Sequence, residues 1–308
     1  MADGRLYVTS GDISGIGPEV VAKAILQMHQ DELARITIID AGHCIKQLLG
    51  TCVQIDWYGL GQEVPYPAQD PKLAAQLAWD SLLHVAQAVQ KEKSGAVATG
   101  PVHKHRLKQI GFSYPGQTEF FADIWGGVPI MMLSDGQLHV VPATIHMPLK
   151  DVPKALSIKQ LKQIFLGTAQ AAKMHLGIAR PRIAICGLNP HAGEQGHFGD
   201  EEQTMIIPAI QQAQESDQDS GFDGPLAADS LFLPHRRDGY DVIIGMYHDQ
   251  VLAPFKAVAF EHGVNATLGL TYLRTAPDHG TADDIAGKGL AQHGPMLAAM
   301  RMALRALT

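Results

Sequence analysis

Residues 5–40 read RLYVTSGDISGIGPEVVAKAILQMHQDELARITIID, and their pattern decides the fold. RLYVT (5–9) is a short apolar run of strand type, and ITIID (36–40) is a second one. Between them the glycine-rich GDISGIGPE turns the chain into a helix over EVVAKAILQMHQ. Ser14 or Gly15 is the expected cap and Pro18 lies in the first turn, where a missing N–H costs nothing. Leu73–Lys91 has helical periodicity, and GAVATGP (95–101) is a further strand that ends in a turn. Strand, helix and strand in alternation predict a parallel or mostly parallel sheet.

The middle of the chain departs from this rhythm. PIMMLSDGQLHVVPATIH (129–146) predicts two short strands around Asp135-Gly136, a type I′ hairpin signal. A helix over Ile158–His175, a strand in RIAICGLNP, a helix in EEQTMIIPAIQQAQE, a strand in DVIIGMYHD and a strand-like NATLGL follow, with ESDQDSGFDGP (215–225) read as an exposed loop. The expected architecture is α/β: two α/β/α lobes sharing one extended, mostly parallel sheet, with the active site in the cleft between them. Residues 1–127 plus 270–308, closed by the helix PMLAAMRMALRAL, form the first, cofactor-side lobe; residues 128–269 form the second, which carries metal, substrate and dimer contacts.

Composition limits the function classes. Over 308 residues, 46% hydrophobic and 18% charged residues describe a packed globule. A formal charge of −7 argues against a nucleic-acid surface or a polybasic membrane patch. The short basic spot His103-Lys104-His105-Arg106 suits at most a small anion. Three cysteines (Cys44, Cys52, Cys186) without a C-x-x-C spacing read as reduced thiols, and neither a signal peptide nor a spanning apolar run is evident. The expectation is a cytoplasmic protein.

Three histidines stand at the mouths of apolar runs: His146 in VVPATIHMP, His191 in IAICGLNPHAGE and His248 in VIIGMYHDQ. In an α/β sheet that edge is where ligands bind. If they converge, their neutral imidazoles make an open metal site; if they do not, they are ordinary loop histidines. The spacings of 45 and 57 residues match no local zinc pattern. GDISGIGPE has the spacing G-x-x-x-G-x-G, so it is not a dinucleotide fingerprint. SYPGQTEFF sets Gln117 and Thr118 just before a helix, where an anion or a plain cap would fit equally. In NPHAGEQGHFGDEE, His191 is the better ligand candidate and His197 the weaker, and the acids at 200–202 suit a helix N-terminus. YHDQVLAPFK adds Asp249, which could orient a ring or accept a proton, and Lys256, a candidate anion anchor. Asn265 and Arg274 follow, and an arginine there can hold a phosphate or carboxylate bidentately.

In order along nearly the whole chain, GDISGIGPE, TGPVHKH, GQTEF, TIHMPLKDV, NPHAGEQGHFGDEE, YHDQ, VNATLGL and RTAPDHGTADDIAGKG resemble the 4-hydroxythreonine-4-phosphate dehydrogenases of vitamin B6 biosynthesis. HGTADDIAGKG also looks like the cofactor segment of isocitrate and isopropylmalate dehydrogenases, which share that fold. The resemblance implies metal ligands at His146, His191 and His248, with the ion shared between two subunits of a homodimer. It implies substrate contacts at Gln117, Thr118, Lys256, Asn265 and Arg274, active-site carboxylates at Asp229 and Asp249, and cofactor contacts at His279, Gly280, Thr281 and Ala282. The family usually reads G-H-T-E where this chain has Gly116-Gln117-Thr118-Glu119, so a neutral amide replaces a side chain able to become cationic.

The expected reaction is oxidation of 4-phosphooxy-L-threonine at C3 by NAD (or NADP), followed by decarboxylation to 3-amino-2-oxopropyl phosphate. One divalent ion per site (zinc, cobalt, magnesium or similar) would assist. Alternatives are a dehydrogenase for 4-phosphothreonate, 4-phosphoerythronate or a dihydrodiol, a phosphate acyltransferase on the same scaffold, and a non-catalytic metabolite binder.

Overall fold

The computed structural model describes residues 4–50, 53–259 and 263–307. Eleven strands are hydrogen-bonded in the order β3-β2-β1-β4-β11-β10-β5-β6-β9-β7-β8. They are β1 Leu6–Thr9, β2 Ile36–Ala41, β3 Asp56–Leu60, β4 Ala96–Thr99, β5 Gly127–Ser134, β6 His139–Pro142, β7 Arg182–Cys186, β8 Gly221–Leu226, β9 Val242–Gly245, β10 Val264–Leu270 and β11 Leu273–Pro277. The β5–β6 and β10–β11 pairs are antiparallel. The pairs β1–β2, β1–β4, β4–β11, β2–β3, β6–β9, β7–β8 and β7–β9 are parallel. This is the mostly parallel α/β sheet that the sequence predicts.

Segments Met1–Pro129 and Glu261–Thr308 bracket one compact unit, and Ile130–Phe260 another. The sequence reading drew its boundary at 269/270 instead, on the far side of β10.

In the first unit, alternate residues of each strand face opposite sides of the sheet. Tyr7 of β1 and Val97 of β4 pack on Leu82, Val85 and Val89 of the helix Pro71–Glu92, joined by Phe120, Phe121 and Trp125 of the helix Gln117–Trp125. Thr275 of β11 faces the other way and donates to the Ala299 carbonyl in the closing helix Gly294–Arg305. In the second unit Leu133, Val140, Ala184, Ile243, Val251 and Phe255 are buried together. Full burial of each of these side chains larger than alanine contributes about 1.5–3 kcal/mol.

Several local expectations are corrected. The first helix starts at Gly17 behind Ile16, with no side-chain cap, because Ser14 is held by Asp12 instead. The hairpin around Asp135-Gly136 has a four-residue loop rather than a two-residue turn: Ser134 pairs with His139, and Asp135 Oδ1 accepts from the Gln137 and Leu138 amides. GFDGPL, read as loop, is the edge strand β8, where glycine and proline are tolerated because one side needs no partner. Cys44 and Cys186 are buried free thiols as expected, and Cys52 lies outside the described residues. Among the described residues no helix is long and apolar enough to cross a membrane.

Candidate active site

In the first unit Thr9 and Thr99 end β1 and β4, and Arg274 stands near the start of the neighbouring β11. β11 runs beside β4, so Arg274 pairs with Val97 and leans toward Thr99 two residues on, on the sheet face that carries the helix Gln117–Trp125. Its Nε and Nη2 both donate to Thr99 Oγ1, at 3.0 and 2.7 Å. Opposite Arg274 on β10 stands Thr267, whose hydroxyl lies 3.4 Å from that of Thr118 in the first helical turn. Thr9 pairs with Thr99 across β1 and β4. Arg274 is only 5% exposed. Burial holds its guanidinium down at about 10, and the Glu119 carboxylate pulls weakly the other way. A buried cation whose hydrogen bonds, among the described residues, go to a hydroxyl is costly. An anionic ligand would offset that cost.

Other polar atoms of this unit are buried without a partner. The Oγ atoms of Thr9 and Ser10 and Gln117 Oε1 are buried without a hydrogen-bond partner. Native interiors rarely leave such atoms unpaired unless a ligand or water completes them. Asn265 sits half-buried on β10 opposite Ala276. Gln117 and Thr118 are the opening residues of their helix behind Gly116, not a turn before it, so their backbone amides belong to a helix N-terminus.

The second unit holds the three histidines. His146 follows β6 in an exposed loop, and His248 opens the helix His248–Ala259 directly after β9. β6 and β9 are parallel neighbours, so these two loops emerge side by side and the rings lie 5.6 Å apart between centroids. His248 Nδ1 is 2.7 Å from Asp249 Oδ1; with the ring proton on Nδ1 the imidazole donates to that carboxylate, which leaves the Nε2 lone pair for a ligand. His191 lies after β7 and is not drawn into a trio. Among the described residues no group of three His, Cys, Asp or Glu side chains could hold a metal ion. The donor set suits zinc or cobalt chemically, but one chain brings together two of the three histidines.

The loop that carries His191 is strained. His191, Ala192, Gly193, Glu194 and Gln195 have φ of 51, 52, 77, 40 and 58°. Left-handed backbone costs about 1–2 kcal/mol per non-glycine residue and is normally visited singly. Glu202 anchors the approach: it is 2% exposed, and its Oε1 accepts from the amides of Leu188 and Asn189 at 2.8 Å each. It thus braces the loop while standing in the first turn of a helical segment, as expected from sequence. A Cβ on Gly193 would come within 2.5 Å of Glu202 Oε2, so glycine is required there. Strain of this kind concentrates at functional sites. His197 hydrogen-bonds within its own loop, to the Glu194 carbonyl.

Asp229 is exposed in the short helix Ala228–Leu231, and Lys256 is exposed about two turns along the helix from His248. His279 to Ala282 form the loop after β11, where His279 Nε2 is buried without a partner. Thr9, Ser10, Thr99 and Thr267 escaped the sequence reading. The signal for Thr99 was present in GAVATGP, whose last strand residue meets the turn.

Residues 16–303 match the family of pyridoxal phosphate biosynthetic protein PdxA. A 4-hydroxythreonine-4-phosphate dehydrogenase from Bradyrhizobium diazoefficiens is 45% identical over 97% of this chain and 96% of its own length. The crystal structure of a 4-hydroxythreonine-4-phosphate dehydrogenase from Burkholderia phymatum superposes with a TM-score of 0.84 at 34% identity, covering 98% of each chain. A terephthalate 1,2-cis-dihydrodiol dehydrogenase from Burkholderia xenovorans has a TM-score of 0.74 at 27% identity, over 98% of each chain. With the same sheet, motifs in register and near-complete coverage, the chain belongs to the PdxA family of pyridoxal phosphate biosynthetic proteins and is an oxidoreductase of that family.

Proposed function

We propose that the enzyme oxidises the C3 hydroxyl of 4-phosphooxy-L-threonine with NAD as hydride acceptor, and that the product loses CO2 to give 3-amino-2-oxopropyl phosphate. The observation that carries this reading is Arg274, a buried guanidinium whose hydrogen bonds, among the described residues, go to the Thr99 hydroxyl and to no carboxylate. Such a cation suits the phosphate or the carboxylate of the substrate. Thr118, Gln117 and Asn265 of the same unit complete the anchor and fix which hydrogen faces the acceptor.

Proton removal falls to Asp249 or Asp229, both exposed carboxylates. A divalent ion (zinc, cobalt or magnesium) held by His146, His191 and His248 would supply Lewis acidity at the C3 oxygen, favouring both loss of the hydroxyl proton and the later loss of CO2. The orphaned His279 Nε2 fits a ligand in the loop His279–Ala282, where NAD or NADP would supply the two-electron acceptor. In the second step the C–C bond to the carboxylate breaks and its electron pair enters the new ketone, which leaves CO2 and an enolate that is then protonated.

The separation of His191 from the His146–His248 pair supports a homodimer in which each ion takes ligands from both subunits. A second reading, a substrate without the amino group or without phosphate, is favoured by Gln117, which cannot carry the positive charge of the usual histidine. The test follows NADH at 340 nm and released CO2 together. Metal-loaded enzyme should give one CO2 per NADH, and EDTA should abolish both until a divalent ion is returned. NADH without CO2 would refute the decarboxylation, and full turnover in EDTA would refute the metal.

A further inference from the structure

GDISGIGPE matches no nucleotide fingerprint, and the basic spot at 103–106 has no obvious anion. The structure joins the two. Asp12 is 1% exposed, and its Oδ1 accepts from both the amide and the hydroxyl of Ser14, at 3.0 and 2.6 Å. Arg106 Nη1 donates to Asp12 Oδ2 at 3.2 Å and to Ser14 Oγ at 2.8 Å, while its Nη2 donates to Asp283 Oδ2 in the loop after β11. The basic spot is therefore a cross-link. One guanidinium fastens the turn at 12–16 to the segment at 281–286.

Other contacts run along the same seam. The Ile16 amide donates to the Thr281 carbonyl at 2.8 Å. Gly15 packs so closely that a Cβ there would lie 2.5 Å from the same oxygen. Further on, Glu19 Oε1 accepts from the Ala291 amide at 3.0 Å, and Lys23 Nζ donates to the carbonyls of Gly289 and Ala291 at 2.8 and 2.9 Å. Segment 283–290 is otherwise largely exposed, with left-handed glycines at 287 and 289. Its backbone is fixed by what it touches rather than by burial.

We propose that Arg106 is a positioning residue for the cofactor. Its paired bonds to Asp12 and Asp283 hold Thr281 and Ala282 in the geometry that receives NAD, and the glycine-rich turn serves as the rigid post for that clasp rather than as a phosphate cradle. The inference rests on the reading of His279–Ala282 as cofactor contacts. Arg106 touches neither substrate nor cofactor in this account.

The test compares Arg106→Ala, Arg106→Lys and Asp283→Asn by NAD titration calorimetry, steady-state kinetics and amide hydrogen exchange. Arg106→Ala should raise the NAD dissociation constant and KM by about 5- to 30-fold, with the KM for phosphosubstrate within twofold of wild type. Exchange at 281–286 should accelerate, and Arg106→Lys should recover part of the affinity. Asp283→Asn, at a more exposed position, should give the same pattern more weakly and serves if Arg106→Ala does not fold. Unchanged NAD affinity despite faster exchange would overturn the proposal, as would equal rises in both KM values. His279→Ala separates the two levels. If it too leaves NAD binding untouched, the cofactor assignment of the loop has failed and the proposal with it; if it weakens NAD while Arg106→Ala does not, only the clasp has failed.

Discussion

Replacing Arg274 with methionine should make the protein more stable and the enzyme worse. The guanidinium is 5% exposed, and burial holds it below its ordinary value, at about 10. That shift corresponds to roughly 3 kcal/mol against the charged form. Because the folded value is the lower one, the unfolded chain keeps its proton more tightly. The penalty is present in full below about pH 10 and is relieved only as pH rises beyond that. Methionine fills a similar volume without a charge, and such exchanges are commonly neutral or stabilising by about 1–4 kcal/mol. Thr99 Oγ1 then loses both of its donors, which returns about 1 kcal/mol. A net gain of about 1–2 kcal/mol remains, a few degrees in Tm by calorimetry of the ligand-free protein. Binding moves the other way. A charge-assisted bond to the phosphate contributes about 1.5–3 kcal/mol, so KM should rise about 10- to 150-fold. A fall in Tm together with an unchanged KM would show that Arg274 is a structural cation and that no anion is anchored there.

Thr99→Val frees the guanidinium from its only hydroxyl brace and should raise the phosphosubstrate KM several-fold, with Thr99→Ser restoring it, as steady-state kinetics would show. Gln117→His restores a side chain able to become cationic and should lower that KM by a few-fold, since the difference between charged and neutral hydrogen bonds is roughly 1 kcal/mol; no change or a rise would remove Gln117 from the anchor. His146→Ala and His248→Ala should each lose bound metal by elemental analysis and nearly all turnover, whereas His197→Ala, whose ring is tied to the Glu194 carbonyl, should do much less. Mixing inactive His191→Ala and His248→Ala variants should regenerate activity, since heterodimers with a shared ion retain one intact site; a fully active monomer on sedimentation would end that account.

The sheet was legible because its strands are short apolar runs bounded by glycine-rich turns, and because helices such as Ile158–His175 carry a clear 3.6-residue period. β8 was not, since an edge strand of Gly, Asp and Pro looks like a loop until a neighbour supplies its hydrogen bonds. The lean of Arg274 toward Thr99 depends on the register of β11 against β4, a long-range fact absent from either segment alone. The histidines were legible as strand-end residues, and the order β6-β9-β7 brings all three loops to one sheet edge, but that only the His146 and His248 rings meet depends on loop conformation, with His191 in the left-handed run 191–195. The partners of Arg106 lie 94 and 177 residues away, beyond any reading of spacing.

The central claim is that this site oxidises a phosphorylated amino alcohol held by a buried arginine. Its most direct test is kcat/KM with NAD, measured at 340 nm on metal-loaded enzyme, for 4-phosphooxy-L-threonine, 4-phosphothreonate, 4-phosphoerythronate and an unphosphorylated diol. The account predicts that 4-phosphooxy-L-threonine exceeds the diol by at least tenfold, matching about 1.4 kcal/mol or more from the phosphate anchor, and that Arg274→Met erases most of the gap. A diol turned over as well as the phosphorylated compound, by wild type and Arg274→Met alike, would contradict it.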